Sequence, residues 1–131
     1  MNKKIFLAAI VVFVLWAVLA FIIHGVMLKA AYASTAQLWR PMAEMKMGLM
    51  YVSIFIAALA FSAIYGFLVT KKSLMAGLTY GLLYGIAVGV GMGYGSYSTM
   101  PIPYSMALTW FLGTVIEAIL GGLVLGAIIK N

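Results

Sequence analysis

Long uncharged stretches divide the chain. Twenty-four residues separate Lys4 from Lys29, and another 24 separate Lys46 from Lys71, with no formal charge in either stretch. From Ser73 to Asn131 only Glu117 and Lys130 interrupt the apolar run, which Ser96–Tyr104, carrying Pro101 and Pro103, divides in two. A helix crossing the ~30 Å hydrocarbon core needs about 20 apolar residues. The pattern therefore predicts an all-α fold with four transmembrane helices, at about 5–28, 47–70, 73–97 and 105–129. Together they make one four-helix bundle over residues 1–131, with no room for a separate soluble domain.

Composition agrees with that pattern. Apolar residues make up 66% of the chain and charged residues 8%, against about 25% charged in a soluble domain. Lys3 and Lys4 before an apolar stretch, with Ala31-Tyr32-Ala33 beyond it, imitate a signal peptide. The stretch is longer than a secretory apolar core, however, so it is expected to remain as the first span. Basic residues set the orientation. Lys3, Lys4, Lys71, Lys72 and Lys130 fall on one side, Lys29, Arg40 and Lys46 on the other, which places both termini in the cytoplasm. The expected location is the cytoplasmic (inner) membrane, with anionic headgroups favoured by a net charge of +6. Nucleic acid is not an expected partner, because the basic residues are divided between two membrane faces. The chain has no cysteine, which removes disulfides, thiolate metal sites and thiol redox switches.

Glycines carry the most specific pattern. Gly77, Gly81, Gly85, Gly89 and Gly93 stand four residues apart along the third span. A four-residue step returns nearly to the same helix face. In water each glycine would cost a helix roughly 1 kcal/mol relative to alanine. In lipid, small residues at this spacing let two backbones approach and gain van der Waals contact. The fourth span places Gly113 and Gly121 on one face, and Gly122 with Gly126 on the next. Lys71-Lys72 leaves so short a turn that the second and third spans are expected to form a tight antiparallel hairpin. Pro41 and Glu44 suit the first turn of a helix, so the second helix is expected to start near Pro41. Tyr32, Trp39, Tyr94, Tyr97 and Tyr104 are placed at the headgroup level of the outer side.

Phe21-Ile22-Ile23-His24-Gly25, Arg40-Pro41 and Pro101-Ile102-Pro103 resemble an uncharacterised family of small four-helix bacterial inner-membrane proteins. The resemblance implies a bacterial membrane protein and no activity. Small multidrug transporters share the length and helix count, but their functional glutamate lies in the first helix and the one mid-membrane acid here is in the fourth.

Little in the chain could carry chemistry. Glu117 sits at the middle of the fourth span, where a charge costs about 2.5–3.5 kcal/mol on insertion scales. It shares a face with Gly113 and Gly121, so it is expected to point toward a neighbouring helix, neutral or hydrogen-bonded. Tyr84, and less closely Ser62, should lie at its depth. Its readings are a tie between helices, a proton or ion relay, or a contact with a partner subunit. His24, the single histidine, is shallower. It is expected to hydrogen-bond near the interface, for instance with Glu44. A haem or chlorophyll-type pigment on His24 is the alternative, although no cofactor is predicted. Met27, Met42, Met45, Met47, Met50, Met92, Met100 and Met106 all map to the outer half, as adaptable filler before a soft Cu(I) site. With two acids in all, there is no carboxylate dyad, nucleophile–base pair or phosphate loop, and no enzyme is predicted.

The leading expectation is an accessory or structural subunit of a larger membrane complex, such as an electron-transfer or photosynthetic one, packed through its glycine-lined faces. Its partners would be membrane lipids and other integral membrane subunits, docked at Trp39, Arg40, Pro101, Pro103 and Tyr104. The alternatives are a homo-oligomeric transporter or channel using Glu117, and a pigment-, haem- or metal-binding protein using His24.

Overall fold

The computed structural model describes residues 2–131. Hydrocarbon leaves no partner for an open backbone group, so each apolar stretch closes its hydrogen bonds within itself as a helix. Helix α1 (Asn2–Ala20) continues through a π-helical turn at Phe21–Met27. The short helix α2 (Lys29–Ser34) and two 3₁₀ turns lead to α3 (Met47–Leu68). Helix α4 (Leu74–Val90) passes through a second π turn, Gly91–Gly95, into α5 (Ser96–Thr99), and α6 (Tyr104–Ile128) closes the chain. Four of these helical runs, Asn2–Met27, Met47–Leu68, Leu74–Thr99 and Tyr104–Ile128, are long and apolar enough to cross a membrane. Their ends differ from the sequence-based spans by less than one helical turn.

The start of α3 is a correction. Pro41 opens only a 3₁₀ turn, Met42–Glu44, in which the Glu44 N–H donates to the Pro41 carbonyl at 2.8 Å. Met45 then turns extended (ψ 136°), and the helix begins at Met47. One turn fixes too few hydrogen bonds to propagate by itself.

Two ends can be told apart. The lysine end gathers the start of α1, the α3–α4 turn and the end of α6. There Ile5, Ala8, Val12 and Trp16 of α1 pack with Ala58, Phe61 and Tyr65 of α3 and with Leu125 and Ile129. At the opposite end the α1–α3 connection folds over the bundle as a cap. Leu28, with half-buried Tyr32 and Trp39, covers Ile102, Met106, Ala107 and Trp110.

Helix α1 packs against both α3 and α6, and α4 packs against α6. The expected tight hairpin of α3 and α4 is not present. Their backbones lie apart, and Phe61 and Tyr65 of α3 meet Tyr80 and Tyr84 of α4 between them. The Phe61 ring stands 4.8 Å from each of Tyr80 and Tyr84, and Tyr65 stands 5.6 Å from Tyr80. Rings of that size keep two backbones apart whatever the length of the turn. Toward the cap, α3 loses its neighbours altogether, and Met47–Ser53 are exposed on every side.

Candidate functional site

Three arrangements hold the residues that the sequence singles out. The first is the seam between α4 and α6. A Cβ built on Gly77 would land on the Gly122 carbonyl oxygen, one on Gly81 on the Ala118 carbonyl, and one on Gly93 on the Ala107 carbonyl. At Gly85 it would lie 2.8 Å from the Val115 Cα, and at Gly89 it would lie 3.1 Å from the Phe111 oxygen. All five glycines are buried. Helix α6 answers with Gly122 and Gly126, whose missing side chains admit Gly77, Gly81 and Leu74. Gly113 and Gly121 do not belong to this seam. Gly113 faces Ile23, and Gly121 faces Trp16 and Phe61.

Glu117 lies between those two glycines on the ridge that faces α1, and it is half-buried. The Trp16 indole N–H donates to its backbone carbonyl at 2.7 Å. Its carboxyl forms no hydrogen bond or ion pair among the described residues, and none joins it to Tyr84 or His24. Tyr84 packs on Phe61 and Tyr80 within the α3–α4 aromatic cluster. Ser62 is buried with an unpartnered hydroxyl.

The third arrangement is at the cap. The Trp110 indole N–H donates to the Tyr32 hydroxyl oxygen at 2.8 Å, and that oxygen lies 2.6 Å from His24 Nδ1. An indole can only donate, so the Tyr32 oxygen accepts from Trp110, and the hydroxyl shares a second hydrogen bond with His24 Nδ1. Burial pushes the Tyr32 phenol above its ordinary value, while the bond from Trp110 opposes that rise. His24 pairs with Tyr32 and not with Glu44, which sits in the exposed 3₁₀ turn. His24 is carried on the π turn Phe21–Met27, a local geometry often found at functional positions.

The proposed docking residues divide. Arg40, Pro101 and Pro103 are exposed, and Tyr104 is 51% exposed with its hydroxyl 3.0 Å from that of Tyr94. Ile102, between the two prolines, dips into the cap core. Trp39 is half-buried. Its indole donates to Thr35 Oγ1 at 2.9 Å and meets Tyr32 and Trp110 edge-on, so much of the ring serves the cap.

No group of three histidines, cysteines or carboxylates that could hold a metal occurs among the described residues. The methionines divide between the cap core, where Met106 is buried, and open surface, where Met42 is 82% exposed. His24 keeps one ring nitrogen, Nε2, beyond its bond to Tyr32.

Comparison with known proteins gives no matching family model, no matching curated protein and no matching solved structure. The residues that organise these sites beyond the sequence-based set are Trp16, Tyr32, Thr35 and Trp110. An indole N–H within a hydrocarbon-length helix needs an acceptor, a signal by which Trp16 and Trp110 could have been found. Nothing in the sequence says that Tyr32 folds back to supply one of them.

Proposed function

We propose that this chain is an accessory or structural subunit of a larger membrane assembly, docking helices of other subunits against its cap-end half. One observation carries the reading. Every glycine of the α4 stripe lies against α6, whereas a Cβ on Gly48, Gly91 or Gly95 would meet nothing within 4 Å. Glycine weakens a helix, and the chain's own packing gives these three no return. In lipid, a small residue with open space before it is what a second helix approaches. Gly91 and Gly95 are one four-residue step apart, on the side of the third span turned away from α6. Gly48 lies in the part of α3 that has no neighbour. Exposed Arg40, Pro101, Pro103 and Tyr104 at the same end would form the rim of the contact. The resemblance in sequence makes a bacterial inner membrane the proposed setting.

Leucine at both Gly91 and Gly95 tests it. The altered protein should keep its own thermal stability yet lose co-migrating subunits on native gels of gently solubilised membranes. Unchanged co-migration would mean that these glycines face lipid.

A second reading, a homo-oligomeric transporter or channel, is favoured by the Glu117 carboxyl, which ties no helix to another through a hydrogen bond. Glu117→Gln keeps the shape and a hydrogen-bonding end. Under the subunit reading the variant should match the parent in stability and assembly. Loss of proton-coupled flux in liposomes from an intact bundle would establish the transporter reading instead.

A further inference from the structure

A cleft of about 300 Å³ opens at the lysine end, between the α3–α4 turn and the end of α6. It is lined by Lys72, Ser73, Leu74, Gly126, Ala127 and Lys130. We propose that it binds a phosphate group, and that the phosphate is carried by an anionic phospholipid.

Charge is the first argument. Five lysines, Lys3, Lys4, Lys71, Lys72 and Lys130, belong to this end, and the chain's two acids, Glu44 and Glu117, belong elsewhere. Glu44 sits in the turn before α3, at the cap end. Glu117 lies nine residues before Gly126 along α6, about 13 Å by helical rise. No side-chain carboxylate is therefore at hand to neutralise the two lysines that line the cleft. Lys72 is held in place, since its Nζ donates to the Val69 carbonyl at 2.6 Å. An ammonium has three N–H groups, so two remain for an anion.

Shape is the second argument. A Cβ on Gly126 would lie 2.7 Å from the Ser73 oxygen and 2.9 Å from the Leu74 Cα. The bare glycine thus brings the two chain segments together as a floor, with a lysine on each wall. The cleft also runs straight into apolar surface, because Leu74 is 57% and Met75 66% exposed. A headgroup phosphate in the cleft would leave its acyl chains lying along these side chains at the edge of the hydrocarbon. A free phosphate would gain the lysines alone, which is why the lipid is the proposed source.

The test uses the whole protein in nanodiscs of phosphatidylcholine, with and without phosphatidylglycerol, and reads retained lipid by native mass spectrometry and melting by tryptophan fluorescence. Phosphatidylglycerol should be retained and should raise the melting temperature. Changing Lys72→Gln with Lys130→Gln should weaken retention roughly thirtyfold, at about 1 kcal/mol for each lysine near the surface. Lys3→Gln with Lys4→Gln removes the same charge from the same end but not from the cleft, and should change retention little. If the cleft pair fails to fold, Ala127→Glu puts an acid at an exposed position of the wall and should expel the lipid while keeping both lysines. Inorganic phosphate added to phosphatidylcholine nanodiscs separates the two sources. Stabilisation by phosphate alone, abolished by the cleft changes, would assign the site to a soluble anion and overturn the lipid. Equal losses from the cleft pair and the Lys3–Lys4 pair would overturn the site itself, leaving only diffuse attraction.

Discussion

Helices α4 and α6 touch backbone to backbone, while α3 and α4, joined by a comparably short turn, are held apart by four aromatic rings. Connection length decides which helices are consecutive neighbours; the side chains at the contact decide how near they come. In water a short loop and two amphipathic faces usually suffice to close a pair. In lipid there is no apolar drive between helices, so nearness depends on what the facing residues allow. Glycine against glycine allows backbone contact. Phe61 against Tyr80 and Tyr84 sets a wide spacing but adds polar ties. The Tyr80 hydroxyl crosses to the Phe61 carbonyl at 2.7 Å, and the Tyr65 hydroxyl reaches the Ser73 carbonyl at 3.1 Å.

Gly81→Leu is the harshest test of the difference. Its side chain would start on the Ala118 carbonyl, and relieving the clash would push the two helices apart and open the seam. Overpacking usually costs about 1–3 kcal/mol and occasionally more; here the upper end or loss of the fold is expected. Melting in detergent should show it. Gly89→Ala should be far milder, because its Cβ would sit 3.1 Å or more from its neighbours. Equal destabilisation by the two would mean that the seam is not graded by contact distance.

Phe61→Ala attacks the other side. Removing a buried phenylalanine costs about 3–5 kcal/mol in soluble cores. In lipid the transfer part of that figure is missing, so a loss near or below its lower end is expected. The vacated space should let α3 approach α4, measurable as a shorter distance between spin labels on the two helices. An unchanged distance would show that the cap and α1 set the spacing.

The smallest of these effects belongs to the cap. Tyr32→Phe removes the acceptor of the Trp110 indole and the partner of His24, leaving the donor of a buried tryptophan unpaired, at about 1–3 kcal/mol. The tyrosine itself gives a sign for pH. Its folded value lies above the unfolded one, so its contribution is complete below about pH 10 and is lost as pH rises through the folded value. The Phe variant should lack that alkaline loss.

Span positions were legible in the sequence because uncharged length answers directly to bilayer thickness. The glycine stripe was legible as a face, since a four-residue step is geometry. Its partner was not, because two glycine faces are offered by α6 and both lie among small residues. Nor was the spacing of α3 and α4, where the two lysines of the turn pointed to a tight pair and the aromatic residues six to thirteen positions away set the distance. The cap was hidden for another reason. Tyr32 and Trp39 read as interfacial residues one at a time, and only folding the connection back joins them, with Thr35, to Trp110 and His24.

The π turn at Gly91–Gly95 also has a bearing on which length changes this chain can tolerate. Along an α-helix a four-residue step overshoots a full revolution, so a glycine stripe drifts sideways as it lengthens. A π turn takes more residues for each revolution, so there the same step falls short, and the drift is wound back before Gly93 meets Ala107. Such a segment behaves as a one-residue insertion absorbed in the helix. Deleting one residue there would restore α geometry and leave the helix beyond it on nearly the same face. Tyr97, beyond the turn, would stay against Tyr104, on which it now rests. Single-residue length variation should therefore be tolerated in the exposed turns around Met42–Met45 and, as a deletion, in the π turn. It should be strongly disfavoured between Gly77 and Gly89, where it would rotate part of the stripe by about 100° away from α6.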